Sequence, residues 1–238
     1  MRAFFNRLFS GGRQEFFSVA EKNLLNEKKM FVITANPEIF MQAEKESALS
    51  QMLLDPVSTL IADGIGVVKG ARMLGIPVRE RIPGVEFAEQ MLTLCHQHKK
   101  SVYLFGAKKE ILDSLCKVID EKYPDLTVVG VCDGYVSDKD AVFEEIHRLK
   151  PDLVLVALGV PLQERLIYRH FGKFSKGIFV GVGGSFDVLS GMKARAPKLF
   201  IRLNLEWLYR ILREPSRLKR FYQNNVKFIF RVKKLKNR

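Results

Sequence analysis

The chain has 238 residues, of which 47% are hydrophobic and 27% charged, a balance typical of a protein with a buried core. Its longest uncharged apolar run, 153–162, is about half of the ~20 residues that a membrane-spanning helix needs, so no such helix is predicted. The three cysteines lack a CxxC spacing, which favours a reducing compartment over a disulfide framework or a zinc site.

The net charge of +13 is distributed unevenly along the chain. Residues 198–238 carry a net +11, which leaves +2 for the first 197 residues. The same C-terminal segment contains seven aromatic side chains. Cations mixed with aromatic rings suit an anionic membrane surface, but they also suit nucleic acid or a solvated helix with one packed face. Charge alone therefore leaves these three interpretations open.

Residues 30–182 alternate short β-branched runs with amphipathic stretches, the pattern of a parallel sheet with crossover helices. The fold class predicted is α/β, a Rossmann-like doubly wound and mostly parallel sheet with a C-terminal basic helical appendage. Strands are predicted at 31–35, 59–62, 102–105, 126–131, 153–158 and 178–182. Helices are predicted at 37–54, 85–98, 109–122, 138–149 and 161–171.

Two domains are predicted from the composition. Residues 1–197 are expected to form the Rossmann-like domain, and residues 198–238 a basic amphipathic appendage, for which membrane binding is the favoured one of the three roles. Pro215 is expected to divide the appendage into two helices, because proline removes a hydrogen-bond donor and clashes with the preceding turn. The aromatic-rich start, 1–27, is either a second membrane-contacting element or a packed helix.

Residues suited to binding an anion follow several of the predicted strands, at the edge where open α/β sheets bind ligands. Two prolines begin helices there, and glycine loops allow a close approach of the backbone. Helix N-termini and such loops favour a diphosphate, and an acid at a strand tip can act as a general base. The residues concerned are Asn36-Pro37, Asp63-Gly64, Pro161 with Gln163, and Gly183-Gly184. This combination favours group transfer from a nucleotide-activated donor without a metal.

Competing motifs are weaker. Gly181, Gly183 and Phe186 fall where a dinucleotide fingerprint requires three glycines, so a nicotinamide-dependent oxidoreductase is a poor match. Asp138-Lys139-Asp140 has the DxD spacing of metal-dependent sugar transferases, but it stands at a predicted helix start, where acids favour the dipole. We interpret it as a helix cap.

Six ordered motifs resemble the WecG/TagA/CpsF family of glycosyltransferases. They are Thr34-Ala35-Asn36-Pro37-Glu38, Ala62-Asp63-Gly64, Leu104-Phe105-Gly106-Ala107, Pro161-Leu162-Gln163-Glu164, 181–187, and Gly191 with Arg195-Ala196-Pro197. The C-terminal 205–220 also looks like that family's last segment. The resemblance implies an inverting, metal-independent transfer of N-acetylmannosamine from UDP to GlcNAc-diphospho-undecaprenol, in wall teichoic acid or other surface polysaccharide synthesis. One departure is that 1–27 does not clearly show the extra strand-turn segment with which the family usually opens.

The resemblance also implies site residues. Asp63 is the expected base, with Thr34 and Gln163 as further catalytic residues. The expected substrate-binding residues are Asn36, Gly64, Gly106, Gly183, Gly184, Arg195, Arg210, Arg217 and Arg220. No metal and no cofactor are expected.

The partners that the resemblance implies are a UDP-sugar, a lipid-linked GlcNAc acceptor and an anionic membrane, at the inner face of a bacterial cell membrane. Nucleic acid is not expected, and a homo-oligomer is left open. One alternative is the same transferase fold using UDP-N-acetylmannosaminuronic acid or another UDP-hexose for capsule or exopolysaccharide. A second alternative is a basic nucleic-acid-binding protein.

Overall fold

Six parallel strands form the sheet on which the fold is built. In a computed structural model, which describes residues 1–237 and only the main chain of Arg217 and Arg220, the strand order is β2-β1-β6-β5-β3-β4. The strands are β1 (Lys29–Ala35), β2 (Ser58–Ala62), β3 (Ser101–Gly106), β4 (Thr127–Cys132), β5 (Leu153–Ala157) and β6 (Gly177–Gly181). Every pairing is parallel, and each predicted strand lies within two residues of an observed one. The α/β class is thereby confirmed.

Helices cover both faces of the sheet. They are α1 (Arg2–Asn6), α2 (Arg13–Leu25), α3 (Pro37–Ala43), α4 (Ser47–Leu54), α5 (Ile65–Met73), α6 (Gly84–Gln97), α7 (Lys109–Lys122), α8 (Lys139–Leu149), α9 (Leu162–Phe171), α10 (Ser185–Leu189), α11 (Lys198–Arg202), α12 (Glu206–Arg213), α13 (Arg217–Phe221) and α14 (Lys227–Lys236). A π turn, Tyr222–Val226, joins α13 to α14.

The central strands are buried on both faces, as their continuous apolar sequences predict. In β5 and β6 every residue is buried. One core contains Phe40 of α3, and the other, on the opposite face, contains Phe186 of α10. The chain therefore turns to opposite faces after the neighbouring strands β1 and β6. That divergence is the topological switch point at which open α/β sheets form a ligand crevice.

The single helix predicted at 37–54 is wrong, because the chain forms α3 and α4 with a turn at 44–46. After Ala43 the next buried residue is Leu49, six positions further on. In one continuous helix with 3.6 residues per turn, these two side chains would lie on different faces. Two shorter helices keep both apolar faces on the sheet.

Helix α5 was not predicted, because its glycines indicated a flexible loop. The glycines are required by packing. A Cβ at Gly64 would lie 3.0 Å from Pro37 Cδ, one at Gly66 3.1 Å from Pro37 Cγ, and one at Gly70 2.9 Å from Phe5 Cζ. The low helix propensity of glycine is thus overridden by close contacts of α5 with α1 and α3.

The aromatic start of the chain is packed against the body. Phe4, Phe5 and Phe16 are buried, and the Phe9 N–H donates to the Leu60 carbonyl at the β2 edge of the sheet (2.8 Å). The interpretation of 1–27 as packed helix is confirmed for these residues.

The C-terminal segment turns back onto the body. Pro215 separates α12 from α13 as predicted, but the first half is itself divided, with Asn204 at φ +58° between α11 and α12. Phe228 and Val232 of α14 are wholly buried. Phe228 is therefore inaccessible to lipid, and the proposed boundary at residue 197 stays a prediction. Within residues 1–237, no helix combines the length and apolarity needed to cross a membrane.

Candidate active site

Asp63 lies directly after β2, at the carboxyl edge of the sheet. Its N–H donates to the Ala35 carbonyl (3.0 Å), which extends the β1–β2 ladder beyond the strand ends. Its Oδ1 accepts a hydrogen bond from the N–H of Gly84, the first residue of α6 (3.2 Å). These two bonds fix the half-buried carboxyl group at the carboxyl edge of the sheet.

Strand β1 contributes Thr34 beside Asp63. The Thr34 hydroxyl donates to the Gly181 carbonyl (3.1 Å), and this bond joins β1 to β6 across the switch point. A Cβ at Gly84 would lie 3.0 Å from Thr34 Cγ2, so Thr34 and Asp63 are linked through the same glycine. Thr34 is itself buried, and its hydroxyl holds the ends of β1 and β6 together.

Asn36 caps α3 as predicted. Its Oδ1 accepts a hydrogen bond from the Ile39 N–H (3.1 Å), and Pro37 is the first helical residue. Gly64 packs against this helix start, because its Cα is close enough that a Cβ would be 3.0 Å from Pro37 Cδ. The N-terminus of α3 therefore lies next to the Asp63 segment.

Gln163 joins the loops that follow β5 and β6. Its side chain is buried, and Oε1 accepts hydrogen bonds from the N–H groups of Gly159 (3.1 Å) and Gly183 (3.0 Å). Its Nε2 donates to Glu164 Oε1 (2.8 Å). All these bonds are internal, so the amide holds the glycine loop in place.

Most of the predicted site residues are thus connected by contacts around the β1–β6 switch point. The connected residues are Thr34, Asn36, Asp63, Gly64, Gln163, Gly183 and, directly before α10, Gly184.

Two predicted residues do not join this set. Gly106, at φ +114°, packs at the end of β3, where a Cβ would lie 2.4 Å from the Ala157 carbonyl oxygen. The Arg195 guanidinium lies 2.5 Å from Glu86 and 3.9 Å from Glu89 on α6. The side chains of Arg217 and Arg220 lie outside the described part of the chain.

Two arginines influence Asp63 electrostatically. Burial raises the pKa of Asp63 above its ordinary value, and the nearby positive charge of Arg81 opposes that shift most strongly. The Gly84 N–H and the Arg210 charge also lower the Asp63 pKa, whereas the Glu206 charge raises it. Arg210 and Glu206 belong to α12, so this helix lies close to the Asp63 carboxyl group.

An ion pair joins α12 to the body. The Arg81 guanidinium contacts the Glu206 carboxylate, and both side chains are nearly excluded from solvent. Arg81 is positioned by its neighbour Ile82, whose N–H donates to the Ala62 carbonyl at the end of β2 (2.8 Å). The Lys193 ammonium, 3.1 Å from Asp187 and 3.4 Å from Glu214, adds a second link between the α10 region and the appendage.

Arg81, Glu206 and Glu164 were missed in the sequence. Arg81 lies in a proline-bounded loop with no periodic signal, and its partner Glu206 is 125 positions away. Glu164 belongs to the motif Pro161-Leu162-Gln163-Glu164, but nothing in that motif indicates that its carboxyl group is buried. In contrast, Asp138 is confirmed as a cap, because its Oδ1 accepts from the Ala141 N–H (2.9 Å). Among residues 1–237, no three His, Cys, Asp or Glu side chains are grouped to hold a metal ion.

Fold and site together define a Rossmann-like α/β protein whose candidate site lies at the carboxyl edge of its sheet, where open α/β sheets bind ligands. A half-buried carboxyl group, two neighbouring arginines and a helix N-terminus lie at that edge, and the arrangement suits an anionic ligand and a proton transfer. The family model described as glycosyl transferase WecG/TagA/CpsF family matches residues 6–238. The chain belongs to this family of glycosyltransferases, and the predicted resemblance is confirmed.

Curated relatives extend this assignment. A protein of Bacillus subtilis (strain 168) is 40% identical over 206 residues, 86% of this chain and 80% of the relative. A protein of Staphylococcus aureus (strain MW2) is 35% identical over 210 residues, 88% of this chain and 82% of the relative. Both relatives carry the name N-acetylglucosaminyldiphosphoundecaprenol N-acetyl-beta-D-mannosaminyltransferase.

Proposed function

We propose that this protein transfers N-acetylmannosamine from UDP to the GlcNAc of GlcNAc-diphospho-undecaprenol, for wall teichoic acid or a related surface polysaccharide. The observation that carries the proposal is the Asp63 carboxyl group, fixed by Gly84 beside the start of α3 and flanked by the charges of Arg81 and Arg210. The names of the two relatives supply the sugar and the acceptor.

Asp63 is the general base of the proposed reaction. The acceptor hydroxyl oxygen attacks the anomeric carbon of the donor while the bond from that carbon to the UDP oxygen breaks. The hydroxyl proton passes to Asp63, and UDP leaves with the electron pair of the broken bond. A single displacement of this kind inverts the anomeric carbon. Asp63 accepts the proton in its ionised form. Its raised pKa makes the ionised carboxylate a stronger base than an ordinary aspartate.

Protein groups stabilise the departing diphosphate in this proposal. Negative charge grows on UDP as the glycosidic bond breaks, and fixed cations and N–H groups stabilise it most where water is excluded. Arg210 and Arg81 are the cations beside Asp63, and the α3 N-terminus adds its dipole. Arg217 and Arg220 are proposed to join them. These groups support a reaction that needs no divalent metal.

The appendage is proposed to attach the enzyme to the cytoplasmic face of the membrane, where the lipid-linked acceptor would be available. Leu199, Leu203 and Leu212 are each more than half exposed among its many lysines and arginines. Apolar side chains that enter the headgroup region, together with cations near anionic lipid, bind an interfacial helix. Helix α12, which carries Arg210, would then bring the membrane surface and the crevice together.

The transfer is tested by incubating the protein with a panel of UDP-sugars and a short-chain GlcNAc-diphospholipid, followed by mass spectrometry of the lipid product. We expect the acceptor to gain one N-acetylhexosamine from UDP-N-acetylmannosamine, with and without EDTA. If the acceptor gained a uronic acid or another hexose instead, the donor would be the corresponding UDP-sugar and not UDP-N-acetylmannosamine. Activity lost with EDTA and restored by manganese would refute metal independence, and no product with any donor would refute the transferase proposal.

The attachment is tested by flotation with phosphatidylglycerol vesicles. The double variant Leu203→Asp/Leu212→Asp should stay at the bottom of the gradient while the wild type floats. Leu25→Asp is the matched control, because Leu25 is exposed on α2 of the body and its replacement should leave flotation unchanged. Equal flotation of all three proteins would refute membrane attachment through these leucines. A salt-sensitive gel shift with nucleic acid, without flotation, would favour the nucleic-acid alternative.

A further inference from the structure

Glu164, in the first turn of α9, is a buried acid that the proposed mechanism does not use. Its side chain is wholly excluded from solvent. Glutamate is rarely buried to this degree unless its carboxylate is paired, because removal from water penalises the charged form. Its position behind the crevice therefore calls for an explanation.

The contacts of Glu164 are one-sided. Oε1 accepts the hydrogen bond from Gln163 Nε2 (2.8 Å), whereas Oε2 is buried and has no hydrogen-bond partner in the described part of the chain. The charged group that bears on it is another acid, Glu38 of α3. Burial raises the pKa of Glu164 to about 7, and the charge of Glu38 shifts it in the same direction. The hydrogen bond from the Gln163 side chain and the main-chain N–H of Glu164 itself oppose them.

The partner of Glu164 explains why an acid is placed there. Gln163 Oε1 accepts from the N–H groups of Gly159 and Gly183, so its amide must keep Nε2 turned away from both loops. Nε2 then lies in the interior, where a Cβ at Gly181 would approach it to 2.4 Å. A buried amide nitrogen without an acceptor destabilises the arrangement, and Glu164 Oε1 is the acceptor that the structure provides.

We infer that Glu164 is a positioning residue, whose carboxyl group holds the Gln163 amide and thereby the loops after β5 and β6 in their crevice-forming arrangement. One consequence of the inference rests on the proposed function: when the loops loosen, the donor should bind more weakly. Its structural part, the position of the two loops, is independent of that function.

The first experiment measures amide hydrogen exchange at Gly159 and Gly183 by NMR. Glu164→Leu removes the acceptor and should accelerate exchange at both amides, whereas Glu164→Gln retains a carbonyl oxygen and should leave exchange unchanged. Glu46→Gln is the matched control, because it breaks an ion pair to Arg165 on the exposed side of the same helix. If Glu164→Leu does not fold, Glu164→Met takes its place. Unchanged exchange in a folded apolar variant would overturn the inference.

The second experiment measures UDP binding by calorimetry with the same variants. The apolar variant should bind UDP roughly tenfold more weakly, the size expected when a buried hydrogen-bond partner is lost, and Glu164→Gln should bind like the wild type. In a Gln163→Leu background the Glu164→Leu change should have no further effect. If the wild type does not bind UDP, the proposed function fails, while the exchange result still decides the inference. Wild-type UDP affinity in the apolar variant would refute its functional part.

Discussion

The burial of Phe228 gives the most direct prediction about the appendage. Phe228 is 0% exposed, with ring centroids 5.9 Å from Phe5 and 6.3 Å from Phe40. Phe228→Ala removes this ring from a closed core, and such truncations cost about 3–5 kcal/mol in the free energy of unfolding. For a chain of this length the loss corresponds to a melting temperature lower by roughly 10 °C.

The same helix offers the control. Phe230 is two residues away and 65% exposed, so Phe230→Ala should change the free energy of unfolding by less than about 0.5 kcal/mol. The assay is thermal or urea unfolding of both variants beside the wild type. If Phe228→Ala unfolds at the same temperature as Phe230→Ala, α14 does not pack on the body and the appendage is separate throughout.

Three further predictions concern ionisation. Arg210→Gln removes a positive charge that lowers the pKa of Asp63, so the acid limb of the kcat/KM profile should move to higher pH. Glu206→Gln removes a charge that raises the Asp63 pKa, so that limb should move to lower pH; an unmoved limb in both variants would exclude Asp63 as the titrating base. Burial raises the pKa of Glu164 from 4.5 in the unfolded chain to about 7 in the folded protein, so the free energy of unfolding falls as pH increases through that range. Glutamine does not ionise, so Glu164→Gln should lack this fall, which amounts to as much as about 3 kcal/mol by pH 8. Identical pH dependence of unfolding in wild type and Glu164→Gln would contradict the last of these.

The sequence predicted the elements whose cause is local. The strands are continuous runs of β-branched and apolar residues, which could be located from the sequence alone. Asn36-Pro37 is a typical N-cap followed by a typical first helical residue, so the start of α3 could be located in the same way. Asp63 was found because it directly follows such a strand.

The features that the sequence did not predict depend on distant contacts. Helix α5 contains glycines that local propensity disfavours and that the packing of Pro37 and Phe5 requires. Arg81, held near the end of β2 through Ile82, pairs there with Glu206, which is 125 positions away in the C-terminal segment. The docking of α14 likewise involves distant contacts: Phe228 packs on Phe5 and Phe40, and Arg231 pairs with Glu44 of the α3–α4 turn (2.9 Å).

The candidate site follows the same division. The cluster of Thr34, Asp63 and Gln163 could be anticipated because parallel strands end at one edge. The hydrogen bonds of their side chains could not, since nothing local in the sequence shows that Gln163 Oε1 accepts from the N–H groups of Gly159 and Gly183.

The proposal that Asp63 is the base in a UDP-dependent transfer is tested most directly by Asp63→Asn. Asparagine keeps the shape and can still accept the Gly84 hydrogen bond, but it cannot take a proton at neutral pH. Turnover should fall roughly 10²–10⁴-fold, the usual contribution of a general base, while UDP binding by calorimetry stays close to that of the wild type. Near-wild-type turnover with UDP-N-acetylmannosamine and the GlcNAc-diphospholipid would contradict the role of Asp63.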